Sequence, residues 1–529
     1  MGEVDDMKLR RFNVTGTCVK EKHYMADISN KLDKIVELIE YGDYFTINRP
    51  RQYGKTTSLD LLYRRLHQEY VVISLSFEGV SKESYRNDKS FINMLHKQIE
   101  RKLGLTSDTF LKALIDEMPY LENFNDLNSF ITRFVETSDR EVILIIDECD
   151  AASNNDIFIT FLGLLRNKYL QRTAGYDLTF QSVILAGVHD VRNLKYKIRS
   201  DGEEQFNSPW NIAEDFRVDM SFNEAEIQSL LADYLSEHPN MKMNIPLMAQ
   251  KIHYFTNGYP FLVSYLCKMI DELFEGEDKW NIHHLEQTVN EIVFSNNANF
   301  DSLLKNIGNH DDLARLVHLI LIDGEEIPFG NSGDAMKKGL MYGIFRRSKD
   351  NKLVIHNPIY EMKIYNYLTE EIKSKNPTLL KHRPSANYTN GDGALNMPLI
   401  LEKYSTYLKD LSNDKQNDFI EENARLLFSI FMKSIINGTG FMYHEPVISD
   451  RRRLDVLIIY NQFKYIVELK IWHGEAYYQK AQEQLTDYLA RERLDVGYMI
   501  VHDFRKKQHR RFTDETFVVN GKELRVYFV

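Results

Sequence analysis

The segment Tyr44 to His67 constrains the fold more than any other part of the chain. It reads as a β-rich run (Tyr44-Phe-Thr-Ile-Asn), a turn (Arg49-Pro-Arg-Gln-Tyr-Gly-Lys-Thr-Thr) and a segment with Leu59, Leu62 and Leu66 at helical spacing. A strand that turns tightly into a helix aims several backbone N–H groups and a helix N-terminus at one point, which suits an anion. Three more strand-like runs follow: Tyr70 to Phe77, Glu141-Val-Ile-Leu-Ile-Ile-Asp-Glu and Thr179 to Gly187. The last two are short and apolar between polar flanks, as in strands buried on both faces of a parallel sheet. Helical patterns lie between them, so residues 1–220 are predicted to form a doubly wound α/β domain.

Gly54, Lys55 and Thr56 occupy the last three positions of the phosphate-loop pattern G-x-x-x-x-G-K-[ST], with Arg49 where the first Gly is expected. The tripeptide alone recurs on the order of 0.3 times by chance in ~530 residues, so its position between strand and helix is what discriminates. In such a loop the Lys meets the β/γ-phosphates and the next hydroxyl binds Mg²⁺. The expected ATP-binding residues are Arg51, Gln52, Tyr53, Gly54, Lys55, Thr56, Thr57 and Asp147. Thr56 and Asp147 would hold Mg²⁺, and Glu148 would orient or deprotonate the attacking water. Arg192, Arg199 and Arg217 are equivalent candidates for an arginine finger, and His189 or Asp190 for a γ-phosphate sensor.

Residues 221–373 turn mainly helical. Asn257-Gly-Tyr-Pro breaks the pattern and starts a helix over Phe261 to Phe274, and Tyr342 to Ile359 contains a charged hairpin (Ser348-Lys-Asp-Asn-Lys). Helices followed by such a hairpin suggest a helical lid and a winged-helix-like region. Residues 374–397 are polar and broken by Pro377, Pro384 and Gly391-Asp-Gly393, and are expected to be a linker. Residues 398–529 then read as a separate α/β domain: a helix (Asn417 to Ile436), strands near Met442 to Val447, Leu454 to Tyr460 and Tyr465 to Lys470, a helix (Glu475 to Ala490) and a strand (Val496 to His502).

This last domain carries a second constellation: Asp455, Glu468-Leu-Lys470 and Gln484-Leu-Thr-Asp-Tyr488. E-x-K arises about twice by chance in a chain of this size, so its context decides. Glu468 and Lys470 share a strand face, and a hairpin through Asn461-Gln-Phe can bring Asp455 beside Glu468. Paired carboxylates invite a cation, and Mg²⁺ (or Mn²⁺) there would stabilise a cleaved phosphodiester. Asp455, Glu468 and Glu422, with Glu421 as a second choice, are the candidate ligands; Lys470 would position the water, and Gln484 and Tyr488 share a helix face near it. A plain surface hairpin is the competing account, opposed by the apolar flanks Ile466, Val467, Leu469 and Ile471. His444 and His473 are read as ordinary histidines.

The segment YFTINRPRQYGKTTSL, with Ile146-Asp-Glu and Ser208-Pro-Trp-Asn-Ile-Ala, resembles the prokaryotic AAA-like ATPases, AAA+/STAND-related P-loop NTPases that commonly carry Arg-Pro-Arg before Gly-Lys. Asn257-Gly-Tyr-Pro-Phe-Leu is similar to their lid segment. The stretch Arg451 to Tyr488 resembles the PD-(D/E)xK nuclease superfamily, with Leu454 where Pro is usual and a Q-x-x-x-Y element similar to its RecB-like branch. Together these imply an ATPase gating a Mg²⁺-dependent nuclease that acts on DNA, with a role against mobile DNA suggested by the resemblance alone. A regulatory nucleotide switch and an RNA-directed nuclease are the alternatives.

Composition narrows the setting. No apolar run approaches the roughly 18–20 residues a membrane span needs. Met1 to Arg11 lacks a signal-peptide core, and Cys18, Cys149 and Cys267 are too scattered for a disulfide framework, so a cytoplasmic protein is expected. The net charge is −11, yet residues 451–529 carry 15 Lys+Arg against 11 Asp+Glu, a local +4 that suits phosphate contact. Nucleic acid, DNA before RNA, is the expected partner, no membrane is involved, and a homo-oligomer is possible.

Overall fold

The computed structural model describes residues 10–103, 109–152, 155–188, 196–197, 204–205, 210–322, 325–330, 333–375, 388–413, 417–436, 440–444, 447–449, 452–453, 456–505 and 514–529. The chain divides into two compact units, Met1–Thr288 with Leu340–Gly343, and Val289–Gly339 with Ile344–Val529.

The first unit is built on a parallel sheet of β1 (Phe45–Asn48), β2 (Val71–Ser76), β3 (Val142–Asp147) and β4 (Ser182–Gly187), in the order β1-β4-β3-β2. Glu214 adds a single parallel bridge to Phe45 on the open side of β1. β3 and β4 are buried at every position, which explains their continuous apolar sequences. Val142, Leu144, Ile146, Val183 and Leu185 enter one core with Phe91, Phe130, Phe158, Phe161 and Trp210. Side-chain alternation sends the buried Ile143, Ile145 and Ile184 to the opposite face. Two helices of the expected lid, Ile245–Thr256 and Pro260–Leu273, are separated by Asn257 and Gly258, both at positive φ.

In the second unit, the wing-like hairpin pairs Phe345–Arg347 with Leu353–Ile355. Gly339 lies where a Cβ would fall 2.1 Å from the Phe345 ring, so a glycine lets the preceding helix seat on the hairpin. Of the expected linker, 376–387 lie outside the described residues. Ser374 and Lys375 instead end the helix Pro358–Lys375, and 388–397 are docked: Tyr388 and Leu395 are buried in the C-terminal core, and Leu395 N donates to the Tyr465 hydroxyl at 2.6 Å.

That core is organised by six strands, β5 (Gly440–His444), β6 (Val456–Tyr460), β7 (Phe463–Ile471), β8 (Val496–His502), β9 (Asp514–Val519) and β10 (Lys522–Phe528), ordered β5-β6-β7-β8-β10-β9. Pairing is parallel for β7–β8 and β8–β10 and antiparallel elsewhere. One face packs helices Met397–Asn413 and Asn417–Ile436 through Ile400, Tyr404, Leu427 and Phe431. The other packs helix Glu475–Glu492 through Tyr478, Leu485, Tyr488 and Leu489. Among the described residues no helix is long and apolar enough to cross a membrane.

Candidate functional site

β1 ends at Asn48 and the helix Lys55–Leu66 begins seven residues later, with Gly54 (φ 77°) as its left-handed N-cap. Gln52 also has positive φ. The loop therefore curls around the first turn of the helix, and the Lys55 ammonium, 5% exposed, bonds the Arg49 and Pro50 carbonyls at 3.0 and 3.1 Å. Burial lowers the Lys55 pKa, while Glu148, Asp147 and Asp150 oppose that shift. A buried ammonium needs acceptors, and here its own loop's carbonyls supply them.

The Thr56 hydroxyl donates to Asp147 Oδ2 at 2.7 Å. Hydroxyl and carboxylate stand together as a Mg²⁺ site in a P-loop requires, so the donor set fits the ion. Glu148 follows with φ 54°, a conformation costly for a non-glycine residue. Burial raises its pKa; Lys55 opposes this, and Asp150, Asp147 and Glu78 add to it. Asp150, which sequence reading passed over, accepts from Val188 N at 3.1 Å, and a Cβ on Gly187 would lie 2.5 Å from its Oδ1. Its only sequence signal is its place three residues after Asp147.

Arg49, in the first-glycine position, serves the scaffold. Its guanidinium donates to Asn48 O at 2.8 Å and Val218 O at 2.7 Å, and lies over the Phe216 ring. The Asn257-Gly-Tyr-Pro segment packs on the same loop: the Tyr259 hydroxyl donates to Arg51 O at 2.6 Å, its ring meets that of Tyr53, and Tyr53 bonds Ser221. Gly258 is required there, because a Cβ would fall 2.0 Å from Phe222 O. Arg51 and Gln52 are exposed, while Thr57 accepts from Cys18 N at 3.1 Å. That contact belongs to an N-terminal segment the sequence did not flag. With Gly54, Thr57, Phe222 and Pro260, residues such as Gly16 and Cys18 line a cavity of about 130 Å³ beside the loop. Arg217 is exposed and lies 3.7 Å from Asp215; His189, Asp190, Arg192 and Arg199 lie outside the described residues.

This strand–loop–helix, with the acidic end of β3 beside it, defines an ATPase of the P-loop class. The chain belongs to the AAA-like domain family, whose model matches residues 17–362. Among solved structures it is similar to the Walker-type ATPase PABY2304 of Pyrococcus abyssi (15% identity, 67% of this chain and 99% of that one, TM-score 0.44). It is also similar to the Holliday junction branch migration motor RuvB of Thermotoga maritima (13%, 65% and 95%, TM-score 0.31). A third is the ORC1 protein of Aeropyrum pernix in complex with DNA (13%, 68% and 94%, TM-score 0.31). No curated protein matches the sequence.

In the second unit, Glu468 is fully buried on β7, and its Oε1 lies 2.8 Å from the Lys470 ammonium. Alternation along β7 puts both on the face that carries Ile466, under helix Glu475–Glu492. On that helix Gln484 Nε2 donates to the Tyr488 hydroxyl at 2.7 Å. Asp455 lies outside the described residues. Glu421 and Glu422 belong to helix Asn417–Ile436, with side chains outside the description. Among the described residues no group of three or more His, Cys, Asp or Glu gathers as a metal cage. His473 is exposed and meets the Tyr477 ring edge-on, whereas His444 ends β5.

Proposed function

We propose that this AAA-like ATPase binds ATP with Mg²⁺ and that nucleotide state gates a metal-dependent nuclease in the C-terminal unit, with DNA as substrate. Lys55 binds the β/γ-phosphates and the backbone N–H groups of Arg51 to Thr57 cradle them. Thr56 and Asp147 would hold Mg²⁺, and Glu148 orients or deprotonates the attacking water. The bound ion supplies charge neutralisation for phosphoryl transfer. In the C-terminal unit Glu468, with Asp455 and Glu422, would hold Mg²⁺ or Mn²⁺; Lys470 positions the nucleophile, and Gln484 and Tyr488 contact the site or the nucleic-acid backbone. The observation that carries the nuclease reading is Glu468, a fully buried carboxylate in an apolar strand facing a Q-x-x-x-Y helix. Burying such a group calls for cationic partners, of which Lys470 at 2.8 Å is one and a divalent ion would be a second.

The test is cleavage of linear, circular and single-stranded DNA and of RNA, with Mg²⁺ or Mn²⁺, with and without ATP. Cutting lost in Glu468→Gln and altered in Lys55→Ala supports nucleotide gating. The ion pair with Lys470 also satisfies part of the Glu468 charge locally, which favours a second reading, a nucleotide switch whose C-terminal fold only binds. ATP turnover without cutting under any metal would select it, and cutting confined to RNA would move the substrate.

A further inference from the structure

Beyond the candidate carboxylate, β7 leads into a row of aromatic and basic groups. Trp472 follows β7 at the same parity as Glu468 and Lys470, so it continues their face about 7 Å past Lys470. Its half-buried ring is anchored on Tyr478 (5.6 Å) and Phe528 (5.9 Å), and Arg505 lies over it at 4.9 Å, itself fixed by two hydrogen bonds to the buried Asp503. Beside it stand the exposed His473 and Tyr477, rings 5.4 Å apart and edge-on, with Tyr477 44% exposed.

Helix periodicity places Tyr477 seven residues, or two turns, before Gln484, on the same stripe that ends at Tyr488. That stripe runs from the exposed Tyr477 to the buried Tyr488, which packs in the core on the face of β7 that carries Glu468 and Lys470. The exposed rings of His473 and Tyr477, beside the Trp472–Arg505 stack, present faces to an unpaired base. A base inside a duplex is already stacked and cannot use such faces.

We propose that His473 and Tyr477, seated beside the packed Trp472, form a base-stacking platform through which the C-terminal unit grips single-stranded nucleic acid and sets its backbone against Glu468 and Lys470. The direction of the strand toward that pair rests on the nuclease reading; the platform itself is a binding surface and can be tested without cutting. Tyr477 is the ring most open to a base, and His473 flanks it. Trp472 and Arg505 hold the neighbouring position.

The experiment uses the full chain carrying Glu468→Gln, so that binding is measured without cleavage. Fluorescently labelled single-stranded DNA, single-stranded RNA and duplex DNA of one sequence are titrated, with and without Tyr477→Ala or Tyr477→Phe. A 2-aminopurine base in the single strand reports stacking by quenching. Tyr477→Ala is expected to weaken single-strand binding about tenfold and to lose the quenching. Tyr477→Phe should retain both, and duplex binding should not change. Equal affinity of Tyr477→Ala for single strands, or an equal loss for duplex and single strand, overturns the platform. Preference between the DNA and RNA arms names the nucleic acid. If the wild type cuts nothing under any metal while the Tyr477 difference persists, the nuclease reading fails and the platform stands.

Discussion

The Thr56 hydroxyl donates a 2.7 Å hydrogen bond to Oδ2 of Asp147, tying the helix after the phosphate loop to the end of β3, two places away in the sheet. A divalent ion shared by these groups, as proposed, would link nucleotide affinity to Mg²⁺. Thr56→Ala is expected to remove most of the Mg²⁺-dependent gain in ATP affinity, roughly tenfold, the scale of one strong charge-assisted contact. Thr56→Ser, which keeps the oxygen, should behave as wild type. Calorimetric titration of ATP with and without Mg²⁺ measures both, and an unchanged Mg²⁺ dependence in Thr56→Ala would remove the hydroxyl from the site.

Glu148 makes a different prediction, in turnover. Its carboxylate is raised by burial beyond what the Lys55 charge offsets, and a base must be deprotonated to act. ATP hydrolysis should therefore fall as pH drops through this raised pKa, an acid limb displaced upward from the ordinary Glu value. Glu148→Gln should retain ATP binding and lose on the order of 10²- to 10⁴-fold in turnover. A pH–rate profile of the wild type lacking that limb would assign the base elsewhere.

Away from the site, Lys168 is wholly buried and donates to Asp177 at 2.6 Å, Thr132 at 2.7 Å and Asn128 Oδ1 at 3.0 Å. Burial pushes the Asp177 carboxyl up, but its bonds from Lys168, Thr132 and Leu178 N outweigh that and hold it below its ordinary value. A depressed carboxylate contributes stability that is present above its unfolded pKa and lost as pH falls through the folded one. Lys168→Met should cost about 3 kcal/mol at neutral pH, because it leaves Asp177 without its cation. The deficit should shrink toward acid as Asp177 is protonated. Urea unfolding at several pH values tests this, and a deficit that grows in acid would refute the linkage.

What the sequence made legible follows from local periodicity. β1 to β4 lie within one to three residues of the expected runs, because strands buried on both faces have to be apolar throughout. The Asn461-Gln462 hairpin joins β6 and β7 as spacing suggested, with Asn461 at φ 53°. The hairpin of β9 and β10 carries an equally readable signal: Asn520-Gly521 between alternating residues is a strong two-residue turn, and both have positive φ. The N-terminal segment that reaches Thr57 through Cys18 was not legible. Its contact joins residues 39 apart in sequence and leaves no period or motif behind it. Asp150 escaped for a related reason, since a carboxylate just past a strand resembles any surface turn until Val188 and Gly187 are seen beside it.

The departure at Arg49 supports a last prediction. Pattern matching suggests that Arg49→Gly should repair the phosphate loop. The guanidinium instead holds the loop's base by two backbone bonds, to Asn48 O and Val218 O, and covers Phe216, which stacks on Phe45 of β1. Charged hydrogen bonds of this kind contribute about 1.5–3 kcal/mol each when intact. Glycine would remove them and free the backbone where the strand must stop. Arg49→Gly should therefore lower the thermal midpoint and weaken ATP binding several-fold, while Arg49→Lys, with one donor group for two acceptors, falls between. Thermal unfolding with and without ATP measures both effects at once. A glycine variant as stable as the wild type and tighter for ATP would show that Arg49 merely replaces a better residue.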